Sequence, residues 1–286
     1  MVKNVPEPIS PPPVTSWKPE YIPAYLSNGL IGVRAGSIPL TEGLAVVSGL
    51  AELDPMEKGE GLSRGPYPIG GDIEVSGHRL SRLPGQVTFH EQRYDFACGE
   101  LHSRFSFQSG EVTATADVLT FCSRTMPTLV LQEVRVRVNR ECDLILSAKV
   151  DQTGLGGHLR SRETSTPGAE MPVVDGTMLW ETHGGLATCG AAYITRFYGS
   201  DGAGRTREET DDLAPLRTSY AFKATPGGLY ILRQMTSLVP SQSHHEPNRQ
   251  ATRLVCMGGQ RGFEKLREEN RQAWEEIWKG RVVITG

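Results

Sequence analysis

The sequence has no apolar run near the roughly 18–20 residues that a membrane span needs. Its opening, MVKNVPEPISPPPVTSWKPEY, has no apolar core of the kind a signal peptide carries. No membrane partner is expected, and residues 1–20 read as an extended, proline-stiffened lead-in. Positive charge is not in excess either: 30 Lys and Arg stand against 33 Asp and Glu, a net charge of −3, with the basic residues scattered. That leaves no electrostatic footprint for nucleic acid. The five cysteines, at 98, 122, 142, 189 and 256, are an odd number with no C-x-x-C among them. They predict reduced, mostly buried thiols in a cytoplasmic protein.

Other signatures are missing as well. The run GSDGAG (199–204) is followed by neither Lys-Ser/Thr nor a helix, so it is a turn and not a phosphate loop. No strand-then-helix alternation occurs before residue 255, which argues against a parallel α/β sheet. No cofactor and no metal site are expected.

What the sequence does have is period-two patterning. Leu101, Ser103, Phe105 and Phe107 share one face of a strand, with His102, Arg104 and Ser106 on the other. After a turn at 108–111, Val112, Ala114, Ala116 and Val118 alternate with Thr113, Thr115 and Asp117. The habit repeats in TLVLQEVRVRV and DLILSAKV, and further strands are predicted at 177–182, 189–199, 219–224 and 229–239. Hydrophobic content of 38% is enough for a real core, while 32 Gly and 19 Pro favour many turns. The predicted class is all-β, a large antiparallel sandwich. Two Gly- and Pro-rich stretches, 54–72 and 151–176, read as long loops. One helix is predicted near the end, with Phe263, Leu266, Asn270, Ala273, Trp274, Ile277 and Trp278 on its apolar face. Arg267, Glu268, Arg271 and Glu275 take the opposite, solvated side, and Gly262 and Gly280 break the helix at its ends.

Candidate catalytic groups are few. Adjacent His244 and His245 point to opposite sides of an extended chain and read as a surface loop. His90 and His102 lie on neighbouring predicted strands. With Glu91 or Glu100 they could form the acid–base pair that a sugar-ring-opening epimerase needs. Asp211 and Asp212 read as one end of a charged loop. No catalytic residue is assigned.

YLSNGLIGVRAG (25–36) carries a tight-turn signal at Asn28-Gly29, with Gly32 where a backbone must pass closely. This segment resembles the GNGYLGVR opening of glycoside hydrolase family 65. In order along the chain, LAVVSGLAEL (44–53), VLTFCSRTMPTLVLQEVRV (118–136) and AWEEIWKGRVVITG (273–286) resemble later segments of the same family's N-terminal domain. The family includes maltose, trehalose and kojibiose phosphorylases, acid trehalases and the glucosidase acting on glucosylgalactosyl-hydroxylysine. Two departures fall in its loops: Leu30 stands for an aromatic, and Leu50-Ala51-Glu52 for Val-Tyr-Asn/Asp. Both weaken the case for those loops contacting a sugar.

The resemblance implies a β-super-sandwich, galactose mutarotase-like, at 21–257, followed by a helix and short strand at 258–286 that form the seam to an (α/α)6 catalytic barrel. That barrel is the implied partner, with a carbohydrate and a second copy of the chain as further possible partners. Asn28, Gly29, Gly49, Glu52, Trp274 and Trp278 are the implied domain-interface residues. The implied function is non-catalytic support of an active site on the barrel. The alternatives are a stand-alone carbohydrate-binding or mutarotase-like protein, and a structural module.

Overall fold

The computed structural model describes residues 25–36, 40–56, 58–164, 174–199, 203–207 and 214–281. The lead-in, Asp211-Asp212, the middle of the 199–204 turn and the short strand expected at Val282–Ile284 lie outside them.

Among the described residues, seventeen strands precede two helices. In chain order they are β1 (Leu26–Ser27), β2 (Ile31–Ala35), β3 (Gly43–Leu53), β4 (Glu60–Gly65), β5 (Tyr67–Val75) and β6 (His78–Arg79). Then come β7 (Val87–Asp95), β8 (Glu100–Ser109), β9 (Val112–Cys122), β10 (Leu129–Val138), β11 (Cys142–Asp151) and β12 (His158–Thr164). The last are β13 (Gly176–Glu181), β14 (Thr188–Tyr198), β15 (Gly204–Arg207), β16 (Leu216–Ala224) and β17 (Tyr230–Pro240), followed by α1 (Pro247–Arg261) and α2 (Phe263–Lys279). They form an eight-stranded sheet (β12-β13-β14-β17-β10-β9-β8-β7), a five-stranded sheet (β15-β16-β11-β5-β6) and a four-stranded sheet (β1-β2-β3-β4). The pairings are antiparallel, as short turns between consecutive strands require.

The eight-stranded sheet is covered on both sides. Phe105, Phe107, Ala114, Ala116, Val134 and Val136 on one face meet Ile73, Val75, Leu144, Leu146 and Phe222 of the five-stranded sheet. Nearby, Leu26, Ile31, Val33, Val47 and Leu50 of the four-stranded sheet pack with Val130, Ala191, Tyr193 and Leu238. On the opposite face, Leu119, Phe121, Leu129, Leu131, Met235 and Val239 lie under Ala251, Val255, Phe263 and Leu266 of the helices. This explains a change of pattern within β10. Arg135 and Arg137 face outward where no helix lies above, whereas Leu129 and Leu131 face outward beneath one. None of the five cysteines is in a disulfide, and four are buried. No helix among the described residues is long and apolar enough to cross a membrane.

Three sequence expectations need correction. The stretch 54–72 is largely strand: β4 occupies its middle and β5 begins at Tyr67. Gly70 and Gly71 mark close approach there and not a turn, since a Cβ on Gly71 would stand 2.6 Å from the Ser147 carbonyl oxygen. The stretch 151–176 likewise contains β12. Finally, a second helix, α1, precedes the expected one. Its buried face is Pro247, Ala251, Val255, Gly258 and Gly259, and Cβ atoms on the two glycines would stand 2.6 and 2.5 Å from Leu129 and Ile194.

Candidate functional site

Of the residues implied for a domain interface, Asn28, Gly29, Trp274 and Trp278 lie on one side of the sandwich, where the β1–β2 turn meets the β9–β10 loop and α2. Asn28 is 6% exposed, and its side chain is fully used. Its Oδ1 accepts from the Leu30 and Ile31 amides at 3.0 and 2.9 Å, while Nδ2 donates to the Ser123 and Pro127 carbonyls at 2.7 and 2.8 Å. The side chain therefore shapes its own turn and ties it to the β9–β10 loop. Gly29 follows at φ 96°, a left-handed conformation that favours glycine, with open space around it.

Arg124 extends this tie to α2. Its amide donates to Asn270 Oδ1 at 3.0 Å, its Nη1 donates to the Asn28 carbonyl at 3.1 Å, and its guanidinium lies 5.4 Å from the Trp274 ring centre. Asn270, the polar interruption in the apolar stripe, is wholly buried and donates to the Cys98 carbonyl at 2.9 Å. It is a hinge pin between two loops, which explains an amide among apolar neighbours. Trp274 lies against Gly99, and the Trp278 indole donates to the Phe96 carbonyl at 2.9 Å. Both indoles are half-buried on the domain's own β7–β8 loop, while Ile277 stays exposed.

The α2 face expected to be solvated is exposed at Glu268 and Glu275, while Arg267 and Arg271 reach from it to a buried partner. Arg267 and Arg271, one turn apart, each grip the fully buried Glu100 with two hydrogen bonds of 2.7–2.9 Å, and His102 lies 3.2 Å away. Burial alone would raise the Glu100 pKa. The hydrogen bonds from Arg271, Arg267 and His102 outweigh it and hold the carboxyl well below its ordinary range. Glu100 is thus locked as an anion and is unsuited to proton transfer. His90 is separate, 3.0 Å from Ser106 Oγ on the exposed sheet face. The candidate acid–base pair is therefore not assembled. His244 caps its own loop, with Nδ1 accepting from the Glu246 amide at 3.1 Å, and His245 is exposed. Among the described residues no cluster could hold a metal.

Of the other implied residues, Gly49 lies at φ 84° in an irregular stretch of β3. Its neighbour Ser48 donates to the Leu30 carbonyl at 2.8 Å, so Gly49 belongs beside the Asn28 turn. Glu52 instead belongs to the β3–β4 hairpin, accepting from Ser63 Oγ at 2.9 Å. Sequence reasoning missed Arg124, Asn270 and Glu100 as members of this network. The spacing of Arg267 and Arg271 at i, i+4 was the one available signal for Glu100's partners.

Comparison with known proteins fits this architecture. A solved structure described as a putative kojibiose phosphorylase from human microbiome superposes over 89% of this chain, with a TM-score of 0.69 at 9% identity. A bacterial glucoamylase complexed with acarbose aligns over 95% of the chain and 39% of its own length, with a TM-score of 0.47 at 9% identity. The present chain spans 35% of the kojibiose phosphorylase structure. No curated protein matches by sequence. The family model "Glycosyl hydrolase family 65, N-terminal domain" matches residues 24–277, nearly the whole chain. The chain belongs to the N-terminal domain family of glycosyl hydrolase family 65.

Proposed function

We propose that this chain is the non-catalytic super-sandwich domain of a family 65-like α-glucoside hydrolase or phosphorylase, supporting an active site on an (α/α)6 barrel in carbohydrate metabolism. One observation carries it: the family match fills residues 24–277, yet the chain spans only 35% of the kojibiose phosphorylase structure it resembles. The geometry favours a supporting role. Inverting cleavage needs one carboxylic acid and one carboxylate base flanking the bond, about 6.5–9.5 Å apart. The two buried carboxylates beside α2, Glu100 and Glu133, are both committed to arginines. The barrel-facing surface would be the Asn28–Gly29 turn, Gly49 and the last turns of α2. Five cysteines with no disulfide among them fit a reducing compartment, the cytoplasm.

The test is an assay of the 286-residue chain on maltose, trehalose and kojibiose, with and without phosphate. Product at the level of the blank is expected. Turnover that a point substitution in this chain abolishes would overturn the proposal.

A further inference from the structure

Away from α2, a cavity of about 650 Å³ opens between β3 and β4 on one side and β5 and β11 on the other. That volume falls within the usual range of small-ligand sites. Glu42, Arg64, Tyr67, Lys149 and Asp151 bring polar groups to it, and Leu44 and Leu155 are among its apolar lining.

Tyr67 is the most telling of these. It is only 5% exposed, and it lines the cavity. Burial, with smaller contributions from Cys122 and Glu42, pushes its ionisation above the ordinary phenol range. The group stays a neutral hydroxyl, able both to donate and to accept.

Two glycines clear the space. A Cβ on Gly43 would stand 2.3 Å from the Tyr67 ring, and one on Gly70 would stand 2.7 Å from Lys149 Cγ. Neither glycine has a positive φ. Backbone conformation therefore does not call for glycine at either place, whereas the position of the two side chains does. Glycine inside a strand weakens it, and here the gain is a phenol and an ammonium laid along a cavity wall.

The charges decide the ligand class. Lys149 Nζ donates to Asp151 Oδ2 at 3.0 Å, and the other Asp151 oxygen accepts from the Thr153 amide at 2.8 Å. With Arg64 and Glu42 the lining holds two cations and two anions, which cancel. A charged ligand gains no net attraction from such a wall. A molecule whose every hydroxyl both donates and accepts can use all of it, and its C–H faces can meet the leucines. We infer that this cavity is a binding site for a neutral saccharide unit, hydrogen-bonded through its hydroxyls by Tyr67 and the Lys149–Asp151 pair.

The test is calorimetric titration of the full chain with glucose and with maltose, alongside amide-shift mapping by NMR. Saturable binding is expected, with shifts concentrated at Gly43, Tyr67 and residues 149–153. Tyr67→Phe keeps the ring packing and Asp151→Asn keeps the shape; each should weaken binding about tenfold, the scale of a lost hydrogen bond to a buried or charged group. Gly43→Ala should do the same by displacing the phenol. The inference is overturned by absence of saturable binding, by parental affinity in Tyr67→Phe and Asp151→Asn, by shifts mapping elsewhere, or by glucose 6-phosphate or glucosamine binding more tightly than glucose. Shift mapping needs no variant, so a misfolded variant leaves the test intact. Binding is read without turnover, so a negative result here leaves the barrel-supporting proposal standing.

Discussion

Replacing Glu100 with Gln tests the α2 clamp most directly. The substitution preserves shape and one carbonyl acceptor but removes the charge that faces Arg267 and Arg271. Breaking a buried pair by removing one partner costs about 3–5 kcal/mol. The lower end applies here, because the Arg271 side chain is 50% exposed and water can solvate part of what is left unpaired. For a chain of this size about 3 kcal/mol corresponds to a melting temperature lowered by roughly 6–12 °C. The pH dependence gives a second readout. The folded-state pKa of Glu100 lies below its unfolded value, so its contribution is fully present above about pH 5 and is lost as pH falls toward the folded pKa. Thermal unfolding followed by circular dichroism should therefore show parent and Glu100→Gln well separated at pH 7 and converging below about pH 4. A variant that melts with the parent at pH 7, or that keeps the parent's slope through the acid range, refutes the clamp.

Further substitutions probe the same surface. Trp274→Ala with Trp278→Ala, or truncation after Gly262, should leave an unfolded or aggregated chain. Together the two half-buried indoles are worth about 3–5 kcal/mol, out of a typical total of about 5–15; cooperative melting within a few degrees of the parent contradicts this. Gly99→Ala should cost clearly more than Gly29→Ala, although both have positive φ. A Cβ at 99 would stand 2.4 Å from the Trp274 indole nitrogen and one at 29 meets nothing, so equal denaturation midpoints count against the packing described. Among the thiols, half-exposed Cys256 should react first with an aromatic disulfide reagent at pH 8, because burial pushes Cys122 and Cys189 up to about 12. Peptide mapping after short exposure decides it.

The sheets were legible in the sequence wherever one face is buried and the other wet. The alternation in β8 and β9 reads directly as Phe105 and Phe107 inside, with His102 and Arg104 outside. It failed where both faces are covered or neither is. β5 is buried along almost its whole length, so its Gly-Gly looks like a turn only to local reasoning. β4 lies at a sheet edge with Leu62 exposed, so no alternation is imposed on it. In α1 only Ala251 and Val255 bring buried apolar side chains to the sheet in the middle of the helix, and Gly258 and Gly259 make close contact by absence of side chains, which no hydropathy pattern registers. At the interface, Asn28 was visible because turn chemistry is local. Glu100 and Arg124 were not, because what defines them is a partner more than a hundred residues away on α2.

The Arg124 junction also orders events in time. It joins residues 28, 124 and 270, separations of 96 and 146 along the chain. Helix α2 can form within about a microsecond from local contacts, but it has nothing to dock on until the β1–β2 turn and the β9–β10 loop have been brought together by sheet formation. Such long-range pairing places folding on the slow, millisecond-to-second side of the range. Docking of α2 thus falls after the rate-limiting barrier, and weakening Arg124 or Asn270 should speed unfolding while leaving the refolding rate nearly unchanged. The junction acts as a latch: closed last on the way in, it sets how long the folded domain lasts.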